Sequence, residues 1–222
     1  MQNPLLLAVF VIAIFLFVVF NVVSRIFYKR RYGDKYHFYQ MFPYEFNYPA
    51  VFKENPYGNF LFIMASLSIA VFYILNPYNS IYRIMALIAA LAFTMILICI
   101  IMMPLYYLKT HMALSCLAMV LSMVLPLFNL FLALEEKKIA TDTAQQTLCV
   151  ISIVFSGILS LIMLLLILNP RLTFKIYYDK AVDANGKEIL KRPNIIFLAL
   201  NEWMSIFIYF LSPLGVLLIS LL

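Results

Sequence analysis

The sequence predicts an all-α, polytopic integral membrane protein with six transmembrane helices, and three observations predict it. The chain has 222 residues, of which 65% are apolar and only 12% charged. A soluble domain carries about 45–50% apolar and about 25% charged residues, so an aqueous fold of this size could not hide so many Leu, Ile and Phe side chains. The apolar residues also come in continuous runs rather than alternating with polar ones. In lipid the backbone must satisfy its own hydrogen bonds, which leaves helices and closed barrels. Barrel strands would alternate over about ten residues, whereas uninterrupted runs of about 20 fit membrane helices. Finally, the basic residues gather in two of the segments between the runs.

The spans fall at about 4–24, 59–76, 81–103, 112–134, 147–169 and 203–222, and the whole chain, 1–222, reads as one transmembrane domain. Met1-Gln2-Asn3-Pro4 offers no positive segment of the kind a cleaved signal peptide needs, so the first span is expected to be an uncleaved anchor. Loop 25–58 holds Arg25, Lys29, Arg30, Arg31, Lys35 and Lys53; loop 170–202 holds Arg171, Lys175, Lys180, Lys187, Lys191 and Arg192. With Lys109 added, the odd-numbered loops carry thirteen Lys and Arg, against three (Arg83, Lys137, Lys138) in the even-numbered loops. The positive-inside rule then places loops 1, 3 and 5 in the cytoplasm and both termini outside.

Loop 1 begins with its basic cluster and continues into a Tyr- and Phe-rich stretch with Pro43, Pro49 and Pro56. Cations beside a span end attract anionic lipid by about 1 kcal/mol each near the surface. Lys29, Arg30, Arg31 and Lys35 are therefore the candidate residues for docking a lipid headgroup or a partner protein. Met41-Phe42-Pro43-Tyr44-Glu45-Phe46 suggests a fixed local structure. In loop 5, Asn185-Gly186 between two strand-like segments predicts a short cytoplasmic β-hairpin within about 174–192, because Asn-Gly suits the positive φ values of a tight turn. Such a hairpin needs something to pack on, either loop 1 or a partner.

Ionisable residues within spans are costly and mark ion paths or substrate sites. The central parts of spans 1 to 5 have none, and the nearest candidate is the polar pair Asn201 and Glu202. A sixth span starting at Trp203 leaves Glu202 as an interfacial residue beside an aromatic anchor, the placement adopted here. A start near Ile195 would instead put Glu202 about 10 Å along the helix, as a buried carboxylate.

Other residues carry less chemistry. His111 stands at a span end with no His or carboxylate three or four residues away; His37 has Asp34 three residues before it, which falls short of a metal ligand set. Each His reads as a plain interfacial or loop residue. Glu135-Glu136 is expected to be a solvated helix end, since no suitably spaced His follows it. Cys99, Cys116 and Cys149 lie inside apolar runs and read as small buried residues. No catalytic residue, metal site or cofactor is predicted, and the chain leans away from being an enzyme.

Small residues mark helix contacts: Ser152, Ser156 and Ser160 with Gly157 on span 5, Ala86, Ala90 and Thr94 on span 3, and Ser115, Ala118 and Ser122 on span 4. Such stripes let backbones approach and give hydroxyls partners across helices. Pro104, Pro126 and Pro213 are positions where helices kink or end. The echo of Ile74-Leu75-Asn76-Pro77 in Ile167-Leu168-Asn169-Pro170 raises an inverted repeat of three spans each, against which the unequal loops 1 and 4 count.

The leading functional expectation is a non-catalytic subunit or scaffold of a transport, secretion or cell-envelope complex. The alternative is a small transporter or permease using Glu202, Asn201 and the span 5 serines. A second alternative is a lipid-modifying enzyme using His37, Asp34 and the loop 1 cations. Expected partners are anionic lipids at the cytoplasmic face and other membrane proteins, with no nucleic acid, and the expected location is a bacterial plasma membrane.

Overall fold

The computed structural model describes residues 4–33, 35–47, 54–76, 80–102, 108–172, 179–182 and 188–220. Six helices are long and apolar enough to cross a membrane, as an integral membrane protein requires. They are α1 (Pro4–Tyr32), α2 (Pro56–Leu75), α3 (Ile81–Met102), α4 (Leu108–Ile139), α5 (Thr143–Ile167), and a last span built from α6 (Phe197–Leu211) and α7 (Pro213–Ser220). Consecutive helices pack side by side, and the last span lies in the middle, in contact with α4 and α5. It is the most buried span, whereas α1 and α5 are the least buried and turn apolar faces outward.

The helix ends differ most consequentially from the sequence expectation in the first, fourth and sixth spans. The first helix continues eight residues past the expected end at 24, so Arg25, Lys29, Arg30 and Arg31 are helical. At about 43 Å it exceeds a hydrocarbon core of about 30 Å, which allows its basic end to emerge as helix. The fourth helix overruns at both ends, reaching Ile139. The sixth span begins at Phe197, six residues before the expected start at Trp203. Here the sequence reading is corrected: a polar pair, Asn201-Glu202, is carried inside the helix because neighbouring helices supply it with partners.

Proline acts as its chemistry dictates. Pro126 sits within α4, and Pro213 opens α7 directly after α6 ends. The carbonyl of Ser212 at that junction accepts hydrogen bonds from the Gly215 N–H (3.2 Å) and the Asn129 side chain (2.9 Å), so the break is satisfied inside the bundle. Pro104 lies outside the described residues.

The small-residue faces are interior faces. Ser152, Ser156, Ser160, Ala86, Ala90, Thr94, Ser115, Ala118 and Ser122 are all buried. Ser152 donates to the Gly215 carbonyl (2.7 Å) and Ser160 to the Met123 carbonyl (3.0 Å). A methyl group at Gly215 would come within 2.6 Å of the Ser156 hydroxyl, so glycine there permits the close approach of α5 and α7. Of the three cysteines, Cys149 is buried while Cys99 and Cys116 are exposed, on lipid-facing positions rather than in the interior expected for them.

Loop 1 folds back over the bundle. Pro43–Asn47, within the segment the sequence marks as ordered, forms a 3-10 helix whose Phe46 and Asn47 are buried. The Asn47 amide donates to the Ile101 carbonyl at the end of α3 (2.7 Å). Loop 5 meets it there: the Ile196 N–H donates to the Tyr39 carbonyl (2.8 Å), and Arg192 pairs with Glu45 (2.9 Å). The two basic loops therefore share one end of the bundle. Within loop 5, β1 (Asp179–Val182) and β2 (Glu188–Lys191) pair antiparallel with Val182 opposite Glu188; the Asn185-Gly186 turn lies outside the described residues.

The two echoing Asn-Pro helix ends differ in detail. Asn76 caps α2 in an extended conformation and is buried, whereas α5 ends through Leu168 in a helical turn.

A polar site under the loop 1 roof

Glu202 is the centre of the site. It lies in the second turn of α6, with a side chain only 2% exposed. Facing it on α4 are Ser115, whose hydroxyl donates to Oε1 (2.7 Å), and His111, whose Nε2 stands 3.4 Å from the same oxygen. The His–Glu separation suits charge attraction but lacks the alignment of a hydrogen bond. Ser115 also lies 2.9 Å from the His111 carbonyl, so its single proton is shared between two acceptors. The second carboxylate oxygen, Oε2, is buried with no hydrogen-bond partner among the described residues, as is Asn201 Oδ1. The Asn201 amide reaches the Leu166 carbonyl of α5 (3.3 Å). Together these groups offer more acceptors than donors.

The roof over this centre comes from loop 1. Tyr44 sets its ring edge-to-face against His111 at 4.7 Å. Trp203 is fully buried rather than an interfacial anchor; its indole N–H lies 3.0 Å from both the Tyr36 hydroxyl and the Met41 carbonyl. Burial, and after it the nearby Glu45 charge, pushes the Tyr36 phenol well above its usual range. Tyr36 therefore keeps its proton for the Phe42 carbonyl (2.7 Å). Glu45 is also pushed up from the ordinary carboxylate value, by burial against the opposing pull of Arg192. Arg192 holds both oxygens of Glu45 at 2.9 Å and ties the roof to the start of α6.

From Glu202 a polar seam runs through the bundle. On α4, Ser115, Ser122 and Asn129 recur every seven residues; they meet Glu202, Ser205 (3.3 Å) and the Ser212 carbonyl (2.9 Å) on the last span. These pairings advance together along both helices, so α4 and α6 run side by side in the same direction. Asn129 is also 2.9 Å from the Tyr73 hydroxyl, and Tyr209 bonds Thr94 and the Ser66 carbonyl.

At the far end Glu136 pairs with Arg83 (2.8 Å), which also donates to Asn76 (3.1 Å), and Ser80 donates to Glu135. This corrects the expectation of a solvated diglutamate. From Ser115 to Glu136 the helix rises about 31 Å, close to the thickness of a hydrocarbon core. A cavity of about 460 Å³ at this end is lined by Ser80, Ile81, Glu135, Glu136, Lys138 and Ile139.

The remaining candidates separate. Arg31 pairs with Glu54 (2.8 Å), while Lys29, Arg30 and Lys35 are exposed. His37 contacts Tyr39 through Nδ1 (3.2 Å), and Asp34 lies outside the described residues. Among the described residues no three His, Cys, Asp or Glu side chains gather as metal ligands.

Sequence reasoning isolated Glu202 and Asn201 but missed His111, Glu45 and Arg192. For His111 a signal was present. The stripe Ser115, Ala118, Ser122 continues back four residues to His111 and forward seven to Asn129. No protein-family model, curated protein or solved structure matches the chain.

Proposed function

We propose that this chain is a small transporter or permease in which Glu202, with His111 and Ser115, engages the transported species or its coupling ion. The observation that carries the reading is the buried carboxylate, with one oxygen unpartnered among the described residues, facing an imidazole at 3.4 Å inside a helical bundle. Such groups are expensive in a membrane interior and cluster on ion and substrate pathways. The seam leading from it along α4 supports the same reading. Against the scaffold reading, the small-residue faces it would present to partners are used up between this chain's own helices. A subunit role in a transport, secretion or envelope complex retains one support, the shared face built by the two basic loops. With the charge bias between loops, we place that face in the cytoplasm of a bacterial plasma membrane and both termini outside.

The test uses the purified full chain in sealed vesicles, with an internal pH dye and radioactive sodium as the two probes. Under an imposed membrane potential, protein-containing vesicles should move protons or sodium faster than empty ones, and Glu202→Gln should abolish the difference while still reconstituting as a monodisperse protein. Flux equal to that of empty vesicles, or unchanged by Glu202→Gln, sinks the reading.

A further inference from the structure

The basic cluster at the end of α1 is two different things. Arg31 is committed inward: it pairs with the Glu54 side chain and reaches the Glu54 carbonyl, so it fastens α1 to the segment entering α2. Arg25, Lys29 and Arg30 are exposed and make no ion pair among the described residues. Arg25 and Lys29 are neighbours at a spacing of four, and Arg30 stands one turn beyond Ile26 on the next row.

These three cations continue a lipid-facing stripe. Phe15, Val18, Val22 and Ile26 are exposed along α1, each about half or more accessible, at spacings of three and four. On α2, Tyr57 (68% exposed) and Phe60 (62% exposed) are exposed near the same end of α1. The ring of Tyr57 lies 6.1 Å from that of Phe27, which sets these aromatics level with the cations. Exposed aromatics at this height match the headgroup zone, where amphipathic rings prefer to sit. An apolar face of α1 therefore runs directly into three exposed positive charges on the same helix, with exposed aromatics of α2 at the same end.

We propose that Arg25, Lys29 and Arg30 form a binding site for the phosphate of an anionic phospholipid, whose acyl chains lie along Val18, Val22 and Ile26. The occupant is a lipid rather than a soluble phosphate because the apolar stripe adjoins the cations without a break. Positive charge complements the anionic headgroup, and each cation strengthens binding roughly fivefold near the membrane surface. Arg31 is outside this site.

The test is native mass spectrometry of the full chain released from nanodiscs of equimolar phosphatidylglycerol and phosphatidylcholine. The wild type should retain phosphatidylglycerol preferentially, and the preference should decline as salt is raised. The triple variant Arg25→Gln, Lys29→Gln, Arg30→Gln should lose roughly a hundredfold of that preference, about fivefold for each cation removed. Arg31→Gln should keep it. Equal retention of the two lipids by the wild type overturns the proposal without recourse to any variant. So does a triple variant that retains phosphatidylglycerol as the wild type does, or a loss that occurs equally with Arg31→Gln.

Discussion

The two ends of the polar seam hold a glutamate each, and they are built differently. At the far end Glu136 is 17% exposed and faces Arg83, whose guanidinium presents several N–H donors in a fixed fork. The pair joins the start of α3 to the end of α4 and is extended by Asn76, which makes it a clamp. At the roofed end Glu202 is 2% exposed and faces His111 and Ser115. The imidazole of histidine presents two ring nitrogens, and serine offers one shareable proton. The first glutamate holds an ion pair through Oε1, whereas the second keeps its buried Oε2 without a hydrogen-bond partner among the described residues. Two glutamates on one seam thus teach that the partner, more than the carboxylate, separates a fastening from a site.

That contrast can be broken or sharpened by mutation. The largest effect on stability is expected at the clamp. Arg83→Leu leaves Glu136 without its cation and should lower stability in detergent by about 2 kcal/mol, since hydrogen bonds to charged groups are worth about 1.5–3 kcal/mol. Denaturant unfolding measures it, and an unchanged midpoint would remove the clamp from the account. Ser115→Ala should have a smaller effect, about 1 kcal/mol, because it removes one hydrogen bond to a group that already lacks others. Combined with Glu202→Gln, its cost should shrink; strictly additive losses in the double-mutant cycle would show that the two do not act together.

The smallest effect concerns pH. Glu45, in the roof, is pushed above the ordinary carboxylate value of 4.5 by burial, so it binds a proton more readily folded than unfolded. Its contribution to stability is therefore complete below about pH 4.5 and is lost as pH rises through the folded value. Glu45→Gln should flatten the fall in stability above pH 4.5, and an identical slope in the variant would show that another group sets it.

Much of the architecture was legible from chemistry that acts locally. Continuous apolar runs of helical length announce membrane helices because lipid offers the backbone no other partner. Ser152, Ser156 and Ser160 announced a packing face because small residues at spacing four let backbones meet. The site was half legible. Glu202 stood out as the ionisable residue nearest a span centre, yet its burial depended on where the last span begins. An apolar run starting at Trp203 looks complete by hydropathy alone. The helix starts at Phe197 because α4, α5 and the roof surround its first turns and give the Glu202 Oε1, the Asn201 amide N–H and the Trp203 indole N–H hydrogen-bond partners.

By itself, then, the sequence determined the solvent, the helical class, the number of spans, and the faces that pack. Those follow from composition and from periods of three and four residues, which are read within one helix. Tertiary structure alone decided that His111 meets Glu202, 91 positions away. It also separated Arg31 from its neighbours and folded loop 1 into a roof held by Arg192. Those outcomes rest on contacts between segments far apart in the chain, whose meeting depends on how whole helices pack and leaves no local trace in either segment.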